Sequence, residues 1–283
     1  MSAVPANYER EFHLSDKEFN EIRKLVSKHT GISLSDAKKN LVYSRLVKRL
    51  RGLKMSSFKQ YCSFIDSKEG EGELLNFTNA ITTNLTSFFR EAHHFDFLKT
   101  KLIPRLLQDN ASSKRIRVWS AGCSTGEEPY SIAMMLRESI PRDKDWDIKI
   151  LASDLDSNVL EHAKRGVYDE ERIEALPKGR VKTWFKYGQG DNAGSVMVHP
   201  ALKEMISFKR LNLMKEWPMK NQFDFIFCRN VMIYFDKPTQ KKLYSRFANQ
   251  VIDHGHICIG HSETMFKVST DFELLGNTIY KKK

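Results

Sequence analysis

The sequence predicts an α/β protein with an all-helical N-terminal domain, a doubly wound parallel sheet and a small antiparallel β insert. Three segments carry this reading. VWSAGCSTGEEPYS (118–131) passes from β-branched and aromatic residues through a small-residue loop into a helix-forming stretch. KILASDLDSNVL (149–160) repeats the order of strand, turn and helix with an acidic turn. FDFIFC (223–228) is a third apolar run and leads into RNVMIYF. Strands alternating with helical patterns in this way give a parallel sheet covered on both faces.

Residues 14–82 read as helical throughout. Ser15 and Glu18 form a capping-box pattern, and Gly31 fits the stop of that first helix. Ser35 or Asp36 caps a second helix that runs to about Arg51, with Gly52 after it. Ser56 or Ser57 starts a third, and a fourth begins near Glu71. TTNLTSFFREAHHF (82–95) is a junction of mixed polar and aromatic character. The expected domains are 1–90, helices plus junction, and 91–283, the sheet domain. Within the latter, about 167–203 breaks the alternation: WFKYGQGDNAGSVMVHP holds two short β-like runs around the turn of Gly188, Gly190 and Gly194. This is either an ordinary surface hairpin or an inserted recognition subdomain. HICIG (256–260) and FELLGNTIY (272–280) read as a closing pair of strands.

Composition narrows the function classes. No apolar run is long enough to span a membrane, and MSAVPANYEREF at the start lacks the apolar core of a signal peptide. A cytoplasmic protein is expected. Cys62, Cys123, Cys228 and Cys258 show no CxxC spacing, so buried thiols are expected and no metal site. The net charge of +11 points to a polyanionic partner.

The loop between Gly122 and Gly126 sits where α/β proteins bind nucleotide-like cofactors, at the end of a strand and the start of a helix. A phosphate loop would place Lys-Ser or Lys-Thr after its last glycine; this one places Glu127 and Glu128 there. Two carboxylates favour the helix dipole but repel phosphate. A cofactor with an adenosine, a positive charge and no phosphate fits, and S-adenosylmethionine is such a cofactor. Asp154, at the end of the second strand, is an acceptor suited to ribose hydroxyls.

On a helical wheel, Val42, Tyr43, Leu46, Val47, Leu50 and Leu53 share one arc of the second helix. Lys38, Arg45, Lys48, Arg49 and Arg51 share the opposite one, with Leu41 the exception on that side. No acidic residue stands four positions away to neutralise them, so an acidic partner surface is a fair expectation beside an ordinary solvated face.

TTNLTSFFREAHHF, GCSTGEEPYS, ASDLD and CRNVMIYFDK together closely resemble the CheR-type chemotaxis receptor methyltransferases of bacteria, over about residues 12–280. The resemblance implies a doubly wound S-adenosylmethionine-dependent methyltransferase domain. It implies transfer of methyl from S-adenosylmethionine to glutamate side chains of methyl-accepting chemotaxis receptors, leaving S-adenosylhomocysteine and a glutamate methyl ester. Asn84, Thr86 and Arg90 would contact the cofactor from the junction. Glu128 would bind the methionine amino group, Asp154 the ribose, and Asn212 with Leu213 would flank the adenine. Arg229, Asn230 and Tyr234 would complete the site beside the transferred methyl. The basic helix would face the receptor's acidic methylation helices, and in some members the β insert docks a peptide at the receptor C-terminus. The implied enzyme is a monomer recruited to membrane receptor arrays, with no nucleic-acid partner and no membrane insertion.

A glutamate carboxyl ionises near about pH 4.3, so the acceptor is already a nucleophile at neutral pH and no general base is required. The remaining task is in-line placement of oxygen, methyl and sulfur in a dry site. Arg90 or Arg229 could hold the carboxylate and Tyr234 could steer it, so these three are the catalytic candidates. His93 and His94 read as packing or capping residues. An RNA methyltransferase would also explain the charge, but the Asn/Asp-Pro-Pro-aromatic motif of amino methylation is replaced by Arg229-Asn230-Val231-Met232, and no Pro-Cys pair exists for cytosine-carbon methylation. A cofactor-sensing module without catalysis is the other alternative.

Overall fold

The structure is a computed structural model and describes residues 11–141 and 145–283; most of the opening stretch read against a signal peptide lies outside them. The chain divides into two compact units, Met1–Thr82 and Thr83–Lys283. The junction segment from Thr83 onward therefore belongs to the second unit.

Among its described residues the first unit holds four α-helices. Helix α1 (Asp16–Thr30) has the full capping box: the Ser15 hydroxyl accepts from the Glu18 N–H, and the Glu18 carboxylate accepts from the Ser15 N–H. Gly31 ends it in the left-handed conformation. Helix α2 (Lys39–Gly52) starts after a 3-10 turn, Asp36–Lys38, and Ser35 makes no side-chain cap. Helix α3 (Phe58–Ile65) is capped by Ser57, and α4 spans Leu74–Ile81. Val42, Leu46, Val47 and Leu50 of α2 are buried with Phe19, Ile22, Phe58 and Phe77, the apolar arc read from the wheel.

The second unit is built on a seven-stranded sheet. Its strands are β1 (Arg115–Ala121), β2 (Asp147–Asp154), β6 (Ile206–Arg210), β7 (Phe223–Cys228), β8 (Val251–Ile259), β9 (Phe272–Gly276) and β10 (Ile279–Lys282), in the order β6-β2-β1-β7-β8-β10-β9. The first five in that order are parallel, and β10 runs antiparallel to both of its neighbours. Alternate residues of β1 enter opposite cores. Ile116 and Val118 pack with α5 (Ala92–Phe97), α6 (Ile103–Asp109) and α7 (Glu127–Ser139). Trp119 and Ala121 pack with α11 (Lys237–Gln250) on the other face. Helix α8 (Ser157–Arg165) follows β2. Among the described residues no helix is long and apolar enough to cross a membrane.

The closing strands differ from the sequence reading. Residues 272–280 do not form one strand. Asn277 and Thr278 have φ of 47° and 60° and make a two-residue turn, so β9 and β10 are a hairpin on the edge of the sheet. The partner of β10 is β8, which starts at Val251 rather than at His256.

The insert has three strands, one more than the two runs read from the sequence: β3 (Val167–Asp169), β4 (Phe185–Tyr187) and β5 (Ser195–Val198), antiparallel in the order β3-β5-β4. Helix α9 (Lys178–Trp184) lies between β3 and β4, and α10 (Pro200–Lys203) follows β5. All four cysteines are free and buried. Burial pushes the Cys123 thiol well above its ordinary range, which fits a packed thiol rather than a nucleophile.

Candidate functional site

Strand β1 has β2 on one side and β7 on the other, so the switch in strand order falls at the carboxyl end of β1. The loop leaving β1 there is a tight arch. Gly122 and Gly126 have φ of 79° and 99°. A Cβ on Gly122 would stand 2.4 Å from a methyl of Val231, and one on Gly126 would stand 2.8 Å from Ala163. Both positions therefore need glycine, for backbone shape and for space.

Asp154 fastens this arch to the end of β2. Its Oδ2 accepts from the Ser124 N–H at 2.8 Å and its Oδ1 from the Asp156 N–H at 3.0 Å. Burial pushes its carboxyl above the usual aspartate range. The junction segment is sewn to the same place: Ser124 Oγ donates to the Asn84 carbonyl at 2.8 Å, and Asn84 Nδ2 donates to Asp156 Oδ2 at 2.8 Å. The Thr86 carbonyl accepts from Arg172 at 2.7 Å. Asn84 and Thr86, far from Asp154 in sequence, are thus brought to one lip with it.

Glu128 lies in the first turn of α7 and is buried. Its Oε1 accepts from Ser120 Oγ at 2.6 Å and its Oε2 from Arg229 Nε at 2.8 Å. Arg229, at the end of β7, is enclosed. Its Nη1 donates to the Arg90 carbonyl at 2.5 Å and lies 3.2 Å from His94 Nδ1 and 3.6 Å from Glu91 Oε2. The expectation that Arg229 holds an incoming carboxylate does not fit this enclosure, because its donors are turned onto Glu128 and the 90–94 segment. Arg90 is half-buried, and its Nη1 donates to the Leu85 carbonyl at 2.9 Å within its own turn.

Asn230 adopts φ of 59°, and the turn it opens carries Tyr234. The Tyr234 hydroxyl stands 3.5 Å from the Thr83 carbonyl. A buried carboxylate on the loop after β8 shapes this turn. Glu263 Oε2 accepts from the N–H groups of Gly260 and Asn230 at 2.5 and 2.9 Å, and Oε1 accepts from the Ile233 N–H at 3.2 Å. Burial pushes the Glu263 carboxyl up.

Asn212 and Leu213 follow β6. Asn212 Oδ1 accepts from the Met214 N–H at 2.9 Å. Leu213 is buried, and its carbonyl accepts from Arg246 Nη1 at 2.5 Å and from Trp217 Nε1 at 3.2 Å. The Arg246 guanidinium lies 4.0 Å over the Trp217 ring, which clamps this loop.

Glu91, His93 and His94 bring ligand-type atoms within 4.8 Å of one another. Both nitrogens of His94 are already engaged, Nδ1 by Arg229 and Nε2 by Asn277 and Thr278. A guanidinium against the cluster opposes a second cation, so the geometry favours a packed polar network.

The basic arc of α2 is less open than the wheel suggested. Arg45 Nη1 donates to the carbonyls of Ala80, Ile81 and Thr82 at the end of α4. Arg49 makes a forked pair with buried Glu73, at 2.7 and 2.6 Å. Burial alone would raise the Glu73 carboxyl, but the donors of Arg49, Asn76 and Tyr61 outweigh it and hold the group below its usual range. Arg51 pairs with Glu11. Lys38 and Lys48 are exposed. On the insert, Gly190 and Gly194 are exposed in the turn between β4 and β5, and Gly188 packs against the Asn192 carbonyl.

Sequence reasoning missed Ser120, Glu91, Arg172, Arg246 and Glu263. Arg172, Arg246, Glu91 and Glu263 each take partners from distant segments, which no local pattern announces; Ser120 meets Glu128 only eight residues on, but a serine in a strand carries no signal of its own.

Comparison with known proteins agrees with this architecture. A family model described as CheR methyltransferase, SAM binding domain, matches residues 84–281, and one described as CheR methyltransferase, all-alpha domain, matches residues 17–82. The chain is 44% identical over 272 residues to chemotaxis protein methyltransferase 2 of Pseudomonas aeruginosa, covering 96% of this chain and 95% of that one. It is 42% identical over 271 residues to the chemotaxis protein methyltransferase of Escherichia coli, covering 94% and 91%. It is 40% identical over 286 residues to that of Borreliella burgdorferi, covering 100% of both.

Proposed function

The chain belongs to the CheR methyltransferase family, and we propose that it methylates glutamate side chains of methyl-accepting chemotaxis receptors, forming methyl esters. S-adenosylmethionine-dependent methylation in chemotaxis adaptation follows from the two family matches and the full-length relatives. The RNA methyltransferase and the cofactor-sensing module are not favoured. The glutamate acceptor, the receptor partners, recruitment to membrane arrays and the residue roles below are our reading.

One observation carries the site assignment: the lip at the switch point gathers four carboxylates, Glu127, Glu128, Asp154 and Asp156, against two paired cations, Arg172 and Arg229, and residues 118–131 contain no lysine. Such a lip rejects phosphate and suits a cationic ligand with ribose hydroxyls. Glu128 and Asp154 each accept two hydrogen bonds in the structure and retain further lone pairs. A buried carboxylate gains from an added donor or cation, so these residues fit the cofactor. When bound, it supplies an electrophilic methyl on a sulfonium. Glu128 would take the amino group, Asp154 the ribose, and Asn212 with Leu213 the adenine. Asn84, Thr86 and Asn230 would close the site around it.

The chain's own residues then have an orientation task. A glutamate acceptor arrives ionised at neutral pH. Arg90 would hold its carboxylate, and the Tyr234 hydroxyl would aim one oxygen along the line of transfer. Arg229 contributes by fixing Glu128. Exclusion of water from around the charges favours the step.

Receptor recognition is assigned to the helical unit through Lys38 and Lys48, with Arg45, Arg49 and Arg51 serving the fold of the same face. The insert's outer face supports a peptide-docking role. Val167 and Met197 are cross-strand neighbours and exposed, Lys186 of β4 stands opposite Met197 on the same face, and Gly188, Gly190 and Gly194 lie in the adjoining turn.

The test is chemical. Receptor incubated with the protein and methyl-tritiated cofactor should release volatile label in mild alkali, as esters do. Label that resists alkali would overturn the glutamate assignment.

A further inference from the structure

The insert reaches back to the loop after β1. Tyr168, the buried centre of β3, donates its hydroxyl to the Thr125 carbonyl at 2.7 Å. Its ring stands edge-on to Phe88 of the junction, with centroids 5.0 Å apart. A Cβ on Gly126 would lie 2.9 Å from the same hydroxyl, so the arch is shaped to fit under this side chain.

Four residues on, Arg172 joins two segments with one nitrogen. Its Nη2 donates to the Thr86 carbonyl at 2.7 Å and to Oε1 of Glu127. Glu127 is 1% exposed at its side chain, while Arg172 is 38% exposed. The other Glu127 oxygen accepts from Thr125 Oγ1 at 2.6 Å. One turn along α7, Ser131 Oγ donates to the Glu127 carbonyl at 2.6 Å and accepts from the Phe89 N–H at 3.0 Å. The 84–89 strip is thus stitched across the start of α7 at both ends, and Arg172 supplies the charged stitch.

We propose that Arg172 is a positioning residue for the cofactor, latching the 84–89 strip over the start of α7 so that the insert holds the cofactor loop in its binding shape. The inference rests on the 122–128 arch being the S-adenosylmethionine site. The helix dipole favours Glu127 where it stands, but a buried carboxylate needs donors on both oxygens. Without Arg172, Oε1 of Glu127 has no donor in the interior. The carboxylate then turns toward water, and Thr86 loses its tie to α7, leaving the strip held there by Phe89 alone. Arg172 itself is partly exposed, so replacing it opens no hole in the core.

The test is calorimetric titration of S-adenosylhomocysteine into the full-length protein and its Arg172→Gln, Arg172→Lys and Glu127→Gln variants and the Arg172→Gln/Glu127→Gln double variant. Arg172→Gln should bind about tenfold more weakly, the loss of one charge-assisted hydrogen bond. Arg172→Lys keeps the charge and should recover part of this, leaving a loss of about threefold. The double variant should bind no more weakly than the weaker single one, because both remove the same latch. At saturating cofactor kcat should hold while the cofactor KM rises, a split that a purely structural role would not give. Wild-type affinity in folded Arg172→Gln, or losses that simply add in the double variant, would overturn the proposal. Should Arg172→Gln not fold, Arg172→Lys decides, and wild-type affinity there overturns it equally. Wild-type protein that binds no S-adenosylhomocysteine would overturn the cofactor-site reading itself, a distinct result.

Discussion

Arg229 Nε donates to Glu128 Oε2 at 2.8 Å, and the two side chains are only 2% and 8% exposed. The pair joins the end of β7 to the first turn of α7, across the switch point of the sheet. Burying two charges is unfavourable unless every donor and acceptor is met. Here Ser120 donates to Glu128, the Arg90 carbonyl accepts from Arg229 with His94 beside it, and the Glu91 carboxylate adds a negative charge 3.6 Å away.

Breaking this pair from one side should therefore be a folding defect before it is a catalytic one. Arg229→Ala leaves an uncompensated buried carboxylate and should lower stability by about 3–5 kcal/mol in urea unfolding. Arg90→Ala removes a half-exposed group with one bond to its own turn and should lower stability by about 1 kcal/mol. Its loss should fall on turnover instead. Equal stability losses in the two variants would contradict the enclosure of Arg229.

His94 gives a pH signature. Burial, and then the charge of Arg229, hold its imidazole down to about 3. Nδ1 faces the Arg229 donor and Nε2 faces the Asn277 carbonyl, the pattern of a neutral ring. The unfolded chain takes up this proton near about pH 6.5, and the folded protein does not until about pH 3. Stability is therefore unaffected by this group above that range and falls with pH between the two values. His256, held down to about 4 mainly by its burial, acts in the same direction. Urea midpoints measured from pH 8 to pH 4 should fall on the acid side, and His94→Gln should flatten part of that slope. An unchanged slope would remove His94 from the account.

The sequence made the scaffold of the site legible and left its bracing hidden. Gly122, Gly126, Glu128 and Asp154 stand in local patterns of strand, turn and helix that physics reads directly. Arg229 was misread because a polar residue after a parallel strand ordinarily faces the crevice. What turns it inward is the 90–94 segment, more than a hundred residues earlier in the chain. The basic arc of α2 was misjudged for a similar reason. A helical wheel sees neighbours three and four positions away, whereas Arg49 meets Glu73 and Arg51 meets Glu11. The edge hairpin was missed because Asn277-Thr278 is a weaker turn signal than Asn-Gly.

Those pairings divide the α2 face into two kinds of residue. Lys38→Glu with Lys48→Glu should lower receptor methylation, leave the fold unchanged and leave cofactor affinity intact. Wild-type activity should also fall with added salt, since exposed charges are screened over about 8 Å at physiological ionic strength. Arg49→Ala should instead lower stability by about 1–3 kcal/mol, because Glu73 stays buried without its forked partner. Normal receptor methylation by the double lysine variant would make this face an ordinary solvated one.

Glu263 and Tyr234 offer the sharpest separation of positioning from contact. The Glu263 carboxylate collects the N–H groups of Gly260, Asn230 and Ile233, and so sets the turn from which Tyr234 projects. Tyr234→Phe removes only a hydroxyl and should lower kcat with S-adenosylhomocysteine affinity unchanged. Glu263→Gln replaces one acceptor oxygen with an NH2 that must face backbone N–H groups. The turn then shifts, and because misplacement of about 1 Å can reduce turnover by about a hundredfold, its kcat should fall at least as far as that of Tyr234→Phe. Combining the two should add little, since a hydroxyl already out of line has nothing left to lose. Single-turnover kinetics on the four proteins would measure this. Additive losses would mean that Glu263 acts on something other than Tyr234, and full activity in Tyr234→Phe would leave acceptor placement to Arg90 alone.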